Sequence, residues 1–264
     1  MHSFARLIVP PGAVGIHWFG QSSFALKDAA GTIVQLDPYF PRERPPDRFI
    51  HAAPPLDETT LRTDYVLLTH NHRDHTWPES LQRIHSAFSH CRFVGPPESI
   101  ANLREHGLPP EQLVTVTAGE TVQLGAMAAY AVWAKPPQGA PEDRIDPPDV
   151  QHLGYVVEAG GVRVYVSGDP IHTFAEKDEL IQPIATLLPH IGLLTTHPTE
   201  GEFPFFDGSV KMARRIGLRT AVPAHYQCFV KRNYDPQAWA AAFPADGPEL
   251  LIIPYNRAVV YRPL

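Results

Sequence analysis

The run Thr69-His70-Asn71-His72-Arg73-Asp74-His75 places three imidazoles and a carboxylate within six residues, directly after the apolar, strand-like Tyr65-Val66-Leu67-Leu68. A chain carrying this run must fold so that the strand ends where several polar groups meet, because few structural needs explain such a density of ligating side chains. On extended backbone, residues two apart point the same way, so His70 and His72 reach one ion together. Asp74 and His75 follow where the chain turns toward a helix over 78 to 88, and they reach a second ion beside the first. Imidazole and carboxylate suit zinc and its neighbours, and an open coordination position holding water gives hydroxide near neutral pH. The bland alternative is a polar loop that happens to be rich in histidine. Four ligating side chains at this spacing argue against it.

The rest of the composition narrows the class of protein. The chain has 264 residues, 44% apolar and 19% charged, which is ordinary for a soluble globular protein with a sizeable core. A formal charge of −6 opposes a polyanion-binding face, so no nucleic acid partner is expected. The basic pairs Arg214-Arg215 and Lys231-Arg232 read as solvated positions. Cys91 and Cys228 are the two cysteines. Their separation indicates neither a disulfide framework nor a thiolate zinc site, and it fits a reducing compartment. The N-terminus lacks a charged segment followed by a long apolar one, and no window approaches the roughly 18 apolar residues of a spanning helix. The expectation is a cytoplasmic protein without a membrane partner, with homo-oligomer formation left open.

Proline is unusually frequent, at 29 residues, with pairs at Pro45-Pro46, Pro54-Pro55, Pro136-Pro137 and Pro147-Pro148. Such pairs stop helices and central strands. They mark 38 to 62 and 135 to 150 as long loops, which near a metal form substrate walls. Alternation and β-branched content predict strands near 13–19, 32–37, 64–69, 92–95, 121–133, 153–158, 162–167, 192–196, 219–223, 249–254 and 257–261. Helical periodicity predicts helices near 78–88, 97–106, 174–186, 208–216 and 236–243. Asp207 is placed to cap the fourth of these, and Gly107 and Gly217 stand where C-terminal caps are expected. No internal sequence repeat is visible.

The pattern H-x-H-x-D-H after an apolar strand resembles the signature of the metallo-β-lactamase superfamily. Further landmarks follow in order. Gly168-Asp169, after Val162-Arg163-Val164-Tyr165-Val166, is similar to the Gly-Asp step whose aspartate bridges two metals. Ala224-His225-Tyr226 is similar to the late histidine motif of the second metal. Ile16-His17-Trp18-Phe19-Gly20-Gln21-Ser22-Ser23-Phe24, then Ile33-Val34-Gln35-Leu36-Asp37-Pro38, resemble the opening hairpin, where Asp37 orients ligands from behind. The resemblance implies a single domain over residues 1–264, built as an αββα four-layer sandwich with two mixed β-sheets. It also implies one or two divalent ions, zinc or manganese, held by His70, His72, Asp74, His75, Asp169 and His225.

One landmark departs. The superfamily supplies another histidine before the Gly-Asp step, but Ala128-Ala129-Tyr130-Ala131-Val132-Trp133-Ala134-Lys135 ends without one. Either the first metal lacks a ligand, with Lys135 in its place, or His152 supplies it from a neighbouring strand, or the site holds one metal. Within the superfamily, Arg92-Phe93-Val94-Gly95-Pro96, Ala118-Gly119-Glu120-Thr121-Val122, Tyr165-Val166-Ser167-Gly168-Asp169 and Val222-Pro223-Ala224-His225-Tyr226 resemble the L-ascorbate-6-phosphate lactonase branch. The step here reads Gly-Asp-Pro170 rather than Gly-Asp-Thr or Gly-Asp-Ser. The implied activity is metal-dependent hydrolysis of an ester-like bond, a lactone foremost, in a small polar or phosphorylated metabolite. Asp74 and His197 are the candidate catalytic groups, and Lys135 and Glu200 the candidate substrate contacts. The alternatives are a phosphodiesterase of the same superfamily and a metal-binding protein with a degenerate, non-catalytic site.

Overall fold

The computed structural model describes residues 1–263. The first sheet draws on β1 (Val14–Trp18), β2 (Phe24–Lys27), β3 (Ile33–Leu36), β4 (Tyr65–Leu67), β5 (Arg92–Gly95), β6 (Leu113–Thr115) and the C-terminal β14 (Arg257–Tyr261), in the order β14-β1-β2-β3-β4-β5-β6. The second holds β7 (Thr121–Leu124), β8 (Met127–Trp133), β9 (Leu153–Ala159), β10 (Val162–Val166), β11 (Ile191–Thr195), β12 (Thr220–Ala224) and β13 (Glu249–Leu250), in the order β13-β12-β11-β10-β9-β8-β7. Both sheets are mixed. From β14 to β3 the pairings are antiparallel, and from β3 to β6 parallel. From β7 to β10 they are antiparallel, and from β10 to β13 parallel. The second sheet therefore repeats the plan of the first, with β14 taking the position that β7 holds.

Strand alternation explains the layers. Along β2 and β3, Phe24, Leu26, Val34 and Leu36 enter the central core, while Ala25 and Ile33 belong to a separate outer cluster. The central core joins those residues to Ala131, Leu153, Tyr155, Val157 and Val164 of the second sheet. Across it, the Tyr155 hydroxyl donates to the Leu68 carbonyl at 2.7 Å. Helices α1 (Pro78–Ala87) and α2 (Pro97–Glu105) cover the first sheet, packing Leu81, Ile84 and Leu103 on Val66, Leu68 and Phe93. Helices α3 (Asp178–Ala185) and α4 (Phe206–Ile216) cover the second through Leu180, Ile181, Ile184, Met212 and Ile216. A short α5 (Pro236–Ala240) buries Trp239, whose indole donates to Ser209 at 3.0 Å. The result is an αββα four-layer sandwich. The proline-rich stretch 38 to 62 does the work of a helix over part of the first sheet, with Phe40, Leu56 and Leu61 against Phe4, Phe19 and Ile33.

Several element boundaries differ from the sequence reading. The single strand expected over 121–133 is a hairpin, broken at Gly125, where φ is +67°. Strands β2 and β6, four and three residues long, do not appear among the expected strands. The strand expected over 249–254 shortens to Glu249–Leu250, the helix over 236–243 to Pro236–Ala240, and the helix over 174–186 opens as a 3-10 turn before α3. Helix α4 starts at Phe206, so Asp207 lies inside its first turn and makes no cap hydrogen bond. There it favours the helix through the macrodipole. Gly107 and Gly217 follow α2 and α4 with φ of +83° and +80°.

The two sheets are tied at one end by the backbone itself, where Leu153 N donates to the Thr69 carbonyl at 2.9 Å. Gly168 passes under this tie. Its φ is +58°, and a Cβ there would lie 2.3 Å from the Leu153 carbonyl oxygen and 3.2 Å from Thr69 Cβ. This close approach is the physical reason for glycine before Asp169. Gly168→Ala is expected to cost about 3 kcal/mol or more in denaturant unfolding, from left-handed strain plus overpacking. An unchanged unfolding midpoint would contradict that account.

Candidate metal centre

The site is built at the C-terminal ends of parallel strands. Asp37 closes β3 with φ of +42° and is buried. Its Oδ1 accepts from Thr69 N at 2.8 Å, and its Oδ2 accepts from Thr69 Oγ1 at 2.6 Å and from His75 Nδ1 at 2.7 Å. Because Thr69 Oγ1 gives its proton to Asp37, it accepts from His70 Nδ1, 3.0 Å away. Both imidazoles thus carry a proton on Nδ1 and turn Nε2 inward, the arrangement by which groups behind a site fix ligand tautomers. Neither Nε2 has a hydrogen-bond partner.

Three groups of candidate ligand atoms lie together, each with its members within 4.8 Å of one another: His70, His72 and His152; His70, His75 and Asp169; and Asp74, His75 and His225. Asp169 is central. Its Oδ2 is 3.8 Å from His70 Nε2, 3.2 Å from His75 Nε2 and 3.6 Å from His225 Nε2. Burial opposes its charge, yet His75 and His225 hold its pKa well below the usual carboxylate range. His75 answers in kind. Burial opposes its protonation, but Asp169, Asp37 and Asp74 hold its pKa well above the usual imidazole value.

His152, at the entry to β9, is the residue beside His70 and His72. Its ring stacks on His70 at 4.0 Å and meets His72 edge-on at 4.9 Å. Both of its ring nitrogens are buried without partners, and burial, aided by Lys135, pushes its pKa down to about 2. It is therefore neutral and ready to ligate. Lys135 instead pairs with Glu202 at 3.0 Å. The only sequence signal for His152 was its position one residue before an apolar strand.

His72 is the most open of the candidate ligand histidines, with Nε2 3.1 Å from Asp149 Oδ1. Asp74 is 20% exposed at its side chain and lies 3.9 Å from His225 Nε2 and 4.0 Å from His75 Nε2. His225 closes β12 with φ of +70°. His197, at the end of β11, is not in any ligand group. Its Nδ1 accepts from the backbone N–H of Thr199 and Glu200 at 3.2 and 3.0 Å, leaving a buried Nε2 without a partner. Glu200 is half-buried in the same turn.

The donor set fits a divalent metal. Nε2 of His70 and His75, the ring nitrogens of His152, one of which can face an ion, and Oδ1 of Asp169 are buried and unpartnered, and each such atom would cost about 1–3 kcal/mol if left unsatisfied. Imidazoles, which give up a proton where they are charged when a metal binds, together with carboxylates suit zinc, manganese and related ions. The cluster opens on two sides. Beside Asp74 is a cavity of about 470 Å³ whose wall includes Tyr39, Arg48, Arg73, Phe229, Lys231 and Arg232. Beside His72 is a second, of about 420 Å³, walled by Lys135, Pro136, Arg144, Asp149 and Glu202. The loops 38 to 62 and 135 to 150 thus each supply one wall. Sequence reasoning missed Arg48 and Arg73, because no local pattern marks cations that converge from separate segments.

If His152 ligates, His152→Ala lowers affinity at the first position by at least about tenfold, whereas Lys135→Ala leaves metal content unchanged. Elemental analysis of both proteins after dialysis against a weak chelator checks this.

Residues 32–226 match the model of the beta-lactamase superfamily domain. A UPF0173 metal-dependent hydrolase of Myxococcus xanthus is 26% identical over 233 residues, 86% of this chain and 75% of that protein. Two solved structures share the fold. Igni18, a metallo hydrolase from Ignicoccus hospitalis, superposes with a TM-score of 0.69 at 20% identity, over 95% of this chain and 99% of that one. An isothiocyanate hydrolase from Delia radicum gut bacteria gives 0.72 at 16% identity, over 95% and 100%. With the ordered His and Asp residues at its strand ends and a family match over most of its length, the chain belongs to the metallo-β-lactamase superfamily.

Proposed function

We propose that this protein is a metal-dependent hydrolase that opens an ester-like bond, a lactone foremost, in a small metabolite bearing a phosphate or carboxylate. The observation that carries the reading is the double position of Asp74, which belongs to a ligand group and also lines the larger cavity. A molecule seated in that cavity presents its bond to the ligand cluster. Ions held there supply Lewis acidity and a water of lowered pKa.

The chain's own groups supply the rest. Arg48 lies over the faces of Phe49 and Phe229, 5.5 Å from each ring centre, and Arg73 lies over Trp77 at 4.5 Å. Among the described residues neither is in an ion pair. Two guanidinium groups held on aromatic rings and outside ion pairs, in a wall that also carries Asp47 and Asp74, favour an anionic group on the substrate. Lys135 is matched by Glu202, so the anion contact first assigned to it passes to Arg48 and Arg73, and Glu200 serves to shape the His197 turn. Tyr39, pushed up to about 12 by burial and then by Cys228, stays protonated and offers a donor to a substrate oxygen. Asp74, partly exposed, orients the attacking water or accepts its proton. His197 keeps its proton on Nε2, since Nδ1 serves as an acceptor, and as a neutral imidazole it is a candidate hydrogen-bond donor to the leaving oxygen. A cavity of this size suits a small molecule. The M. xanthus relative, itself a metal-dependent hydrolase, supports hydrolysis, and the motifs resembling the lactonase branch support a lactone.

Turnover of lactones, phosphodiesters and thioesters, each with and without an anionic substituent, is the test. An anionic lactone is expected to turn over fastest, and Arg48→Ala or Arg73→Ala to raise its KM about 10- to 100-fold with a smaller change in kcat, as for loss of a charge-assisted contact. Equal rates on neutral and anionic substrates would remove the anion subsite. Turnover confined to phosphodiesters would favour the phosphodiesterase reading, and no turnover by fully loaded protein a binding role.

A further inference from the structure

The loop after β1 places Gln21 against the ligands of the second ion. Its Nε2 lies 2.7 Å from Asp74 Oδ2 and 2.7 Å from His225 Nε2, and those two atoms are 3.9 Å apart. An ion bound by both at about 2.1 Å must sit close to the line between them, and so no more than about 2.7 Å from the end of the Gln21 side chain. Gln21 is then either a ligand or an obstruction.

The surroundings decide which. Gln21 is 2% exposed, so the side chain has no path to solvent without moving its backbone. That backbone is fixed at φ +54°. Gln21 N donates to Tyr226 O at 2.9 Å, and Gln21 O accepts from His225 N and from Trp18 Nε1, both at 3.0 Å. The low-cost motion left is a half-turn of the terminal amide, which exchanges two atoms of nearly equal size. Gln21 Oε1 is buried and has no hydrogen-bond partner. A cation between Asp74 and His225 repels the positive N–H end of the amide and attracts the carbonyl end. The half-turn therefore brings the unpartnered oxygen to the ion.

We propose that Gln21 is a ligand of the ion held by Asp74, His75 and His225, binding through Oε1. This rests on the reading of Asp74 and His225 as ligands of one ion. The second position then carries a neutral oxygen beside its histidines and carboxylates, and the Gly20-Gln21-Ser22-Ser23 turn becomes part of the metal site.

The test titrates the full chain with zinc and with cobalt, reading calorimetric stoichiometry and affinity together with the visible absorption of the cobalt form. Gln21→Leu is expected to weaken the second ion about tenfold or more, to leave the first unchanged, and to shift the cobalt bands. Gln21→Glu, which keeps an oxygen at the same reach, is expected to bind the second ion at least as tightly as wild type. Thermal melts of the unloaded variants identify any folding defect, and if Gln21→Leu is unfolded the Gln21→Glu comparison decides. Two ions bound with unchanged or tighter affinity and identical bands in Gln21→Leu, or weaker binding in Gln21→Glu, would overturn this role alone. A wild type that binds a single ion would overturn the two-ion reading and this role with it.

Discussion

The carboxylate of Asp37 is the interaction on which the rest of the site depends. It is buried, and burial raises its pKa, against which His75 and the Thr69 hydrogen bonds act. Its three short bonds join the ends of β3 and β4, set the Thr69 hydroxyl as an acceptor toward His70, and orient His75. Removing one partner of a buried charged pair costs about 3–5 kcal/mol, because the remaining charge is left uncompensated. Asp37 thus converts a polar strand end into two correctly aimed imidazoles.

The position of the site follows from the sheets. Each sheet changes from antiparallel to parallel pairing midway, and the strands β3, β4, β10 and β12 deliver Asp37, the histidine run, Asp169 and His225 from their C-terminal ends. Open sheets with parallel strands place their clefts outside those ends. The residues there are held in unusual backbone states, with positive φ at Gln21, Asp37, His225 and Gln227. Each costs of order 1–3 kcal/mol and persists where the surroundings over-determine it. Here the backbone ties Leu153 to Thr69, Gln21 to Tyr226 and His225 to Gln21 provide that constraint.

Net charge and local charge diverge in this protein. The chain as a whole carries −6, yet the larger cavity gathers Arg48, Arg73, Lys231 and Arg232. Overall charge governs steering of large polyanions, and local charge governs recognition of one small anion. Lys231 and Arg232, read from sequence as solvated, belong to this wall. Arg232 also lies 3.8 Å from Glu202 and over Phe203, so it links the wall of one cavity to the wall of the other.

The sequence by itself determined the strand-then-polar run at Thr69 to His75, the Gly168-Asp169 step and the late His225, and through the resemblance these carry it implied the order of the layers. These are local or ordered patterns, and strand periodicity with ligand spacing is written along the chain. It also marked 38 to 62 and 135 to 150 as loops, since proline pairs exclude regular structure. It left open whether His152, Lys135 or no residue completes the first position, and it assigned nothing to Gln21, Arg48, Arg73 or Asp149. Those assignments depend on distances between residues remote in the chain: His152 meets His70 through the packing of the two sheets, and Gln21 meets Asp74 and His225 because β1 and β12 end at the same edge. The duplicated sheet plan is equally a tertiary property. Backbone pairing does not require like side chains, so two halves can share a topology while their sequences share no visible repeat.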